Sequence, residues 1–293
     1  MNLIEEYKRS LKLLEVEEIV DLILFRPLAT LLVKIVSPTN ITPNQLTWIA
    51  LLMGISGTIL FMAGSANAFF AGAICLIIYD VFDCADGQLA RLKGTGTLTG
   101  RIVDGFADYI VAVLTYLGIG FGFASNSNDP LFWWILTVLA GFSNAIHSIA
   151  VDYYRNLFMD YALDRASLLD EDLQKYKDEY NRLVSENIRS FDRLIIWFYL
   201  KYSALQIKFS SKEKDKQFVR YDPKDYYKKN KRILHLWTYI GPSTDLMIVI
   251  ICALFNRWDL FMIWMVGISN IYLLILFISQ TQINKTVKIL GEK

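Results

Sequence analysis

An all-α membrane fold with six spanning helices is predicted by three features of the chain. Its 293 residues are 54% hydrophobic with a positive mean hydropathy, a composition typical of integral membrane proteins. Long uncharged runs recur, at or near the roughly 20 residues that a bilayer core requires. The net charge of only +1 conceals a strong segregation of charged residues along the sequence.

Residues 1–45 form an N-terminal segment. Its start, "MNLIEEYKRSLKLLEVEE", is charged and amphipathic and lacks the apolar stretch of a signal peptide. The following "IVDLILFRPLATLLVKIV" (19–36) is apolar but carries Asp21, Arg26, Pro27 and Lys34. It reads as an amphipathic interfacial helix lying on the membrane, with a poor spanning helix as the alternative. In "SPTNITPNQLT" (37–47), Pro38, Pro43 and Asn44 mark a turn and a helix start.

Residues 46–151 hold the first four spans. The first is uncharged from Leu46 to Gly64. Residues 68–79 are too few to cross, so the second span continues through Asp80, Asp83 and Asp86. The third, from about Ile102 to Ala124, carries Asp104 and Asp108 in its first two turns; the fourth covers 131–151. Residues 152–237 are a charged, partly helical insertion with 18 Lys/Arg against 14 Asp/Glu. Within it, "LIIWFYL" (194–200) is too short to span and reads as a membrane-surface helix. Residues 238–293 supply spans five and six, about 239–255 and 258–279, and a basic tail.

The short loops after spans one, three and five contain one basic residue, Arg257. The other 29 Lys and Arg lie in the termini, the acidic hairpin and the insertion. The positive-inside rule then places both termini and the acidic hairpin on the cytoplasmic side of a multi-pass cell-membrane protein. Cys75, Cys84 and Cys252 show no disulfide framework, and His147 and His235 give no zinc motif. No nucleic-acid partner is expected.

The most informative stretch is 83–108, "DCADGQLARLKGTGTLTGRIVDGFAD". Asp83 and Asp86 are three residues apart and Asp104 and Asp108 four, so each pair shares a helix face. Two helix ends joined by the turn-rich "KGTGTLTG" bring four carboxylates together beside small residues. Close carboxylates repel unless protons or a cation intervene, and all-oxygen ligands favour Mg²⁺ or Mn²⁺. Acids at membrane depth are costly and mark function by default. Helix capping explains one or two of them, not all four. A divalent-cation transporter is the alternative from another class. It would need polar groups through both leaflets, whereas the far halves of spans two and three are almost entirely apolar. Prenyl transfer to a ring acceptor also uses aspartates and Mg²⁺, but would release pyrophosphate.

The stretch resembles the signature of the CDP-alcohol phosphatidyltransferases. Asp83, Asp86, Gly87, Ala90, Arg91, Gly100, Asp104 and Asp108 fill its fixed positions at the right spacing, and "TPNQLT" is similar to the family's entry into the first span. The resemblance implies a homodimeric membrane enzyme of phospholipid synthesis, with a CDP-linked lipid donor and a polar alcohol acceptor. It implies two Mg²⁺ (or Mn²⁺) ions held by Asp83, Asp86 and Asp104, with Asp108 as general base and second-metal ligand. Gly87 and Ala90 would leave room for the cytidine and Arg91 would hold the diphosphate, Gly100 belonging to the same set. CDP-diacylglycerol is the expected donor, with the acceptor leaning towards a phosphorylated polyol. The reversed case pairs CDP-choline or CDP-ethanolamine with a lipid alcohol. Outside the signature, Asp80 is a candidate for acceptor binding. So is Arg155, ordered by Asp152, although Arg155 reads equally well as a membrane anchor. The cluster "KDYYKKNKR" (224–232) is better suited to anionic lipid.

Overall fold

The computed structural model describes residues 16–163, 168–188, 190–210 and 221–290. The first fifteen residues of the N-terminal segment and the last three of the basic tail lie outside them. The described chain is all-α; its one extended pairing is an isolated bridge, Tyr221 to Ile289. A π-helical turn, Asp21–Phe25, leads into α1 (Arg26–Val36). Then follow α2 (Pro43–Met62), α3 (Ala66–Lys93), α4 (Leu98–Ser125) and α5 (Pro130–Leu163). The helices α6 (Leu168–Ser185) and α7 (Phe191–Ser210) form a hairpin. The chain closes with α8 (Pro223–Trp237), α9 (Pro242–Leu254), α10 (Trp258–Met262), a π-helical stretch Ile263–Ile268, and α11 (Ser269–Thr286).

Six stretches are long and apolar enough to cross a membrane: α2, α3, α4, α5, residues 223–254 and residues 258–286. The chain is a multi-pass membrane protein. The π turn and α1 are not among the six; they pack along α3 instead. α1 buries Ala29, Val33 and Val36 against Leu46, Ala85 and Leu89. The contact is fixed by Gln88, which accepts from Thr30 Oγ1 at 3.0 Å and donates to the Arg26 carbonyl at 3.1 Å.

Local chemistry sets the helix starts. Thr42 and Gln45 form a capping box, the Thr42 hydroxyl accepting from Gln45 N and Gln45 Oε1 accepting from Thr42 N. The Ser65 and Thr97 hydroxyls cap α3 and α4 by accepting from the N–H of Ala68 and Gly100, without the reciprocal bond. α3 ends at Gly94, whose φ of +63° is a left-handed cap that glycine adopts without strain.

Lipid tails are as apolar as leucine, so helix association here rests on close packing rather than on burial from water. α2 and α3 meet at Gly57 and Gly72, where a Cβ on Gly57 would lie 2.9 Å from the Gly72 carbonyl oxygen. Further along, Phe61, Phe69, Phe123 and Trp258 interlock, with the Phe69 ring 4.7 Å from Trp258 and 5.3 Å from Phe123. These contacts fasten the end of the bundle opposite the aspartates.

The charged stretch 152–237 is divided among three structures. α5 continues beyond residue 151 to Leu163 because no proline or glycine interrupts it. α8 leads into the fifth span through a 3₁₀ turn, Thr238–Ile240. Between them, the α6–α7 hairpin buries Tyr176, Leu183 and Ile196 against Leu98 and Ile102 at the start of α4. The "LIIWFYL" segment lies in α7, with Leu194, Trp197 and Phe198 exposed.

Candidate active site

The acidic hairpin joins the end of α3 to the start of α4. α3 has 28 residues and so is about 42 Å long, more than a bilayer core, which carries its last turns towards the membrane surface. One carboxylate oxygen each of Asp83, Asp86 and Asp104 lies within 4.8 Å of the others. Asp86 is buried, Asp83 and Asp104 are half-buried, and the Thr47 hydroxyl of α2 donates to Asp86 Oδ2. Three carboxylates this close require protons or a cation among them. An all-oxygen donor set fits a hard divalent ion.

Asp108 lies one turn beyond Asp104 and takes a different partner. Its Oδ1 accepts from the Tyr79 hydroxyl at 2.7 Å, and the residue is exposed. The structure thus brings Asp83, Asp86 and Asp104 into one cluster and leaves Asp108 beside it, held by a buried tyrosine. Exposure and a fixed carboxylate suit a group that receives a proton from an incoming hydroxyl.

The small residues border the same end. A Cβ on Gly87 would lie 3.4 Å from Arg91 Nη1, so the Arg91 guanidinium folds back over Gly87 one turn earlier. A Cβ on Gly96 would lie 3.7 Å from that of Ala90, which places the hairpin turn against Ala90. At Gly100 a Cβ would lie 2.8 Å from Asn44 Oδ1 and 2.9 Å from Thr97 Oγ1, so glycine there lets α4 approach the start of α2. Lys93 Nζ donates to the carbonyls of Thr39 and Ile41, both at 2.8 Å, tying the hairpin to the α1–α2 link.

Asp80, one turn before Asp83, is 6% exposed and faces the N-terminal segment. Arg155 lies 3.2 Å from Asp152 Oδ1 and 3.5 Å from Glu18 Oε1. Sequence reasoning singled out Asp152 with Arg155 but not Glu18. Burial pushes the Glu18 carboxyl up to about 8, with Asp21 adding to the rise and Arg155 opposing it. Asp21 is also raised by burial, against the pull of Arg26. Tyr79, Thr47 and Glu18 were not legible as site residues. Asp21 did give a signal, an acid inside an apolar run.

The acidic hairpin falls within the part of the chain that is similar to known proteins. Residues 40–158 match the family model described as CDP-alcohol phosphatidyltransferase. The chain is 30% identical to cholinephosphotransferase 1 of Danio rerio over 89 residues, 28% of this chain and 23% of the relative. It is 31% identical to phosphatidylinositol phosphate synthase of Corynebacterium glutamicum over 88 residues, 30% of this chain and 37% of the relative. The matched stretches thus span about a quarter and somewhat over a third of those relatives' lengths. The similarity to CDP-alcohol phosphatidyltransferases thus rests on residues 40–158, under half of the chain.

Proposed function

We propose that the chain is a metal-dependent CDP-alcohol phosphotransferase that joins a small polar alcohol to the phosphatidyl group of CDP-diacylglycerol and releases CMP. The observation that carries this is the convergence of Asp83, Asp86 and Asp104 between two spans of the stretch that matches that family's model. Asp83, Asp86 and Asp104 would hold Mg²⁺ or Mn²⁺, with Asp108 contributing where a second ion binds. Bound there, the metal would neutralise diphosphate charge and stabilise the attacking and leaving oxygens.

The remaining steps belong to the chain's own groups. Asp108 takes the proton of the acceptor hydroxyl while Tyr79 holds its other oxygen in place. The hydroxyl oxygen bonds to the β-phosphorus as the bond to the bridging oxygen breaks, and CMP leaves. Arg91, folded over Gly87, is placed to pair with the diphosphate. Gly87, Ala90 and Gly100 keep side chains out of the nucleotide's way. The proposed setting is a cell-membrane homodimer with termini and site facing the cytoplasm, where soluble nucleotides occur. Charge distribution supports the orientation; the dimer rests on the family resemblance.

A second reading is favoured by the cholinephosphotransferase relative: a CDP-linked amino alcohol as donor and a lipid alcohol as acceptor. One experiment separates the two. Purified protein in detergent with Mg²⁺ is given CDP-diacylglycerol with a panel of alcohols, then CDP-choline or CDP-ethanolamine with diacylglycerol. CMP in the first arm supports the main reading and CMP in the second arm the alternative. In both, Asp108→Asn should abolish it. No CMP in either arm refutes the transferase reading.

A further inference from the structure

Behind the hairpin aspartates lies a second buried set of acids, where the π turn, α3 and the start of α9 meet. Asp21 and Asp80 are 9% and 6% exposed, and one oxygen of each lies within 4.8 Å of the other and of Cys84 Sγ. Asp21 Oδ2 accepts from the Ser243 hydroxyl at 3.1 Å. Asp80 Oδ1 has only the Cys84 thiol, at 4.0 Å. Among the described residues, Asp80 Oδ2 and Asp21 Oδ1 accept no hydrogen bond. A buried carboxylate oxygen without a donor is costly, and native proteins rarely leave one so. Two that converge call for a shared proton or for a ligand bringing both donors and positive charge.

The surroundings define that ligand. Arg26 Nη2 is committed to Glu17 Oε2 at 2.7 Å, although its Nε–H has no acceptor among the described residues. Arg155 faces Glu18 and Asp152, and His147 Nδ1 lies 3.0 Å from Asp245 Oδ2 with both side chains buried. The charges that act most strongly on Asp80 are Asp21, Asp108 and Glu18, with Arg26 opposing them. A phosphate entering here would meet three carboxylates, with the Arg26 and Arg155 guanidiniums already paired. Cys84 sits as a thiol donor towards Asp80, so it adds no third anionic ligand for a divalent ion. Glu18 packs so closely on Gly241 that a Cβ there would collide with its carboxylate, which fixes the rear of the cluster.

The geometry points to Asp80 and Asp21 as the binding site for the ammonium group of a small amino alcohol, whose oxygen is then presented towards Asp108. This deepens the transferase reading and rests on it. Asp80 and Asp83 are three residues apart on α3 and so share a helix face, which sets the ammonium site beside the acidic hairpin. The same ammonium chemistry has two sources: a free amino alcohol acting as acceptor, or the head group of a CDP-linked amino alcohol acting as donor.

The test uses the full chain in detergent with Mg²⁺ and reads CMP release in four arms. CDP-diacylglycerol is combined with ethanolamine, with glycerol or with glycerol 3-phosphate, and CDP-ethanolamine is combined with diacylglycerol. Preference for either ethanolamine arm is expected, and which one responds identifies the source. In the responding arm, Asp80→Asn and Asp21→Asn should raise KM about tenfold or more, as loss of a charge-assisted hydrogen bond does, with kcat little changed. The wild-type preference decides by itself if a variant fails to fold. CMP with glycerol or glycerol 3-phosphate but not with ethanolamine would overturn the proposal while leaving the transferase reading intact. An unchanged KM in a folded Asp80→Asn protein would overturn it too, as would a defect repaired by raising Mg²⁺, which would make the cluster a metal site. No CMP in any arm defeats the transferase reading and the proposal together.

Discussion

The Tyr79 hydroxyl donates a 2.7 Å hydrogen bond to Asp108 Oδ1, linking the last uncharged turn before the acids of one span to the outermost acid of the next. Tyr79 is 6% exposed and Asp108 is exposed, so the bond anchors a carboxylate that solvent and substrate can still reach. Tyr79 is therefore a positioning residue for the proposed base. Tyr79→Phe keeps the ring packing and removes the anchor. We expect kcat for CMP release to fall about tenfold, the value of one hydrogen bond to a charged group, with the donor KM nearly unchanged. Equal kcat in the two proteins would show that the bond serves packing alone.

Thr47 places α2 in the same machinery, because its hydroxyl donates to the buried Asp86. Thr47→Val is nearly isosteric and leaves Asp86 Oδ2 without that donor. Asp86 would then be less well oriented as a metal ligand, as outer-shell partners of metal ligands generally are when removed. A rise of about tenfold in the Mg²⁺ concentration for half-maximal activity is expected. A Mg²⁺ titration of CMP release measures it directly.

Metal removal gives the plainest check on the aspartate cluster. Chelation by EDTA should abolish CMP release, and added Mg²⁺ or Mn²⁺ should restore it. Asp83→Asn should resist restoration at any Mg²⁺ concentration that rescues the wild type. Activity that survives exhaustive chelation would remove the metal from the mechanism.

Two glycine substitutions should act in opposite directions. A Cβ on Gly57 would press on the Gly72 carbonyl at 2.9 Å, whereas one on Gly105 meets nothing within 4 Å. Overpacking costs about 1–3 kcal/mol, while exchanging a helical glycine for alanine gains roughly 0.5–1 kcal/mol. Thermal unfolding in detergent should occur earlier for Gly57→Ala and no earlier for Gly105→Ala.

Stability should also depend on pH through Glu18. Its carboxyl is raised to about 8 from an ordinary 4.5, chiefly by burial. Between those values the folded chain holds a proton that the unfolded chain has released. The stabilisation is complete below the unfolded value and is lost as pH rises through the folded one, by up to about 1.4 kcal/mol per pH unit. The charges around it are Asp21, Arg155 and Asp245. The unfolding temperature should therefore decline from pH 5 to pH 8, and Glu18→Gln should flatten the decline. An identical slope in the variant would assign the pH dependence to other groups.

Six spans and the position of the acidic hairpin were legible because both follow from local rules. Bilayer length fixes how many apolar residues a span needs, and helical spacing puts Asp83 with Asp86 and Asp104 with Asp108. The extent of α5 was less legible, because apolar content marks the bilayer and not the end of a helix that no breaker stops. Contacts across the fold were not legible at all. Thr47 and Asp86 are 39 residues apart, and Glu18 and Thr244 are 226 apart. No periodicity in one segment carries information about such a partner. Arg155 shows the same limit: its neighbour Asp152 was within reach of local reading, whereas Glu18 was not.

The hydrogen bonds from Ser243 and Thr244 to Asp21 and Glu18 also have a bearing on biogenesis. The hairpin aspartates are all delivered once the third span has entered the membrane, but the acids behind them must wait. Glu18 and Asp21 leave the ribosome early and acquire their hydroxyl partners only when the start of the fifth span arrives. An insertion intermediate halted after the fourth span would thus carry the hairpin acids with those partners still missing. Order of synthesis makes the rear of the site the last part to be built, and a chain that stalls there should be recognisable to the cell's quality control by those exposed acids.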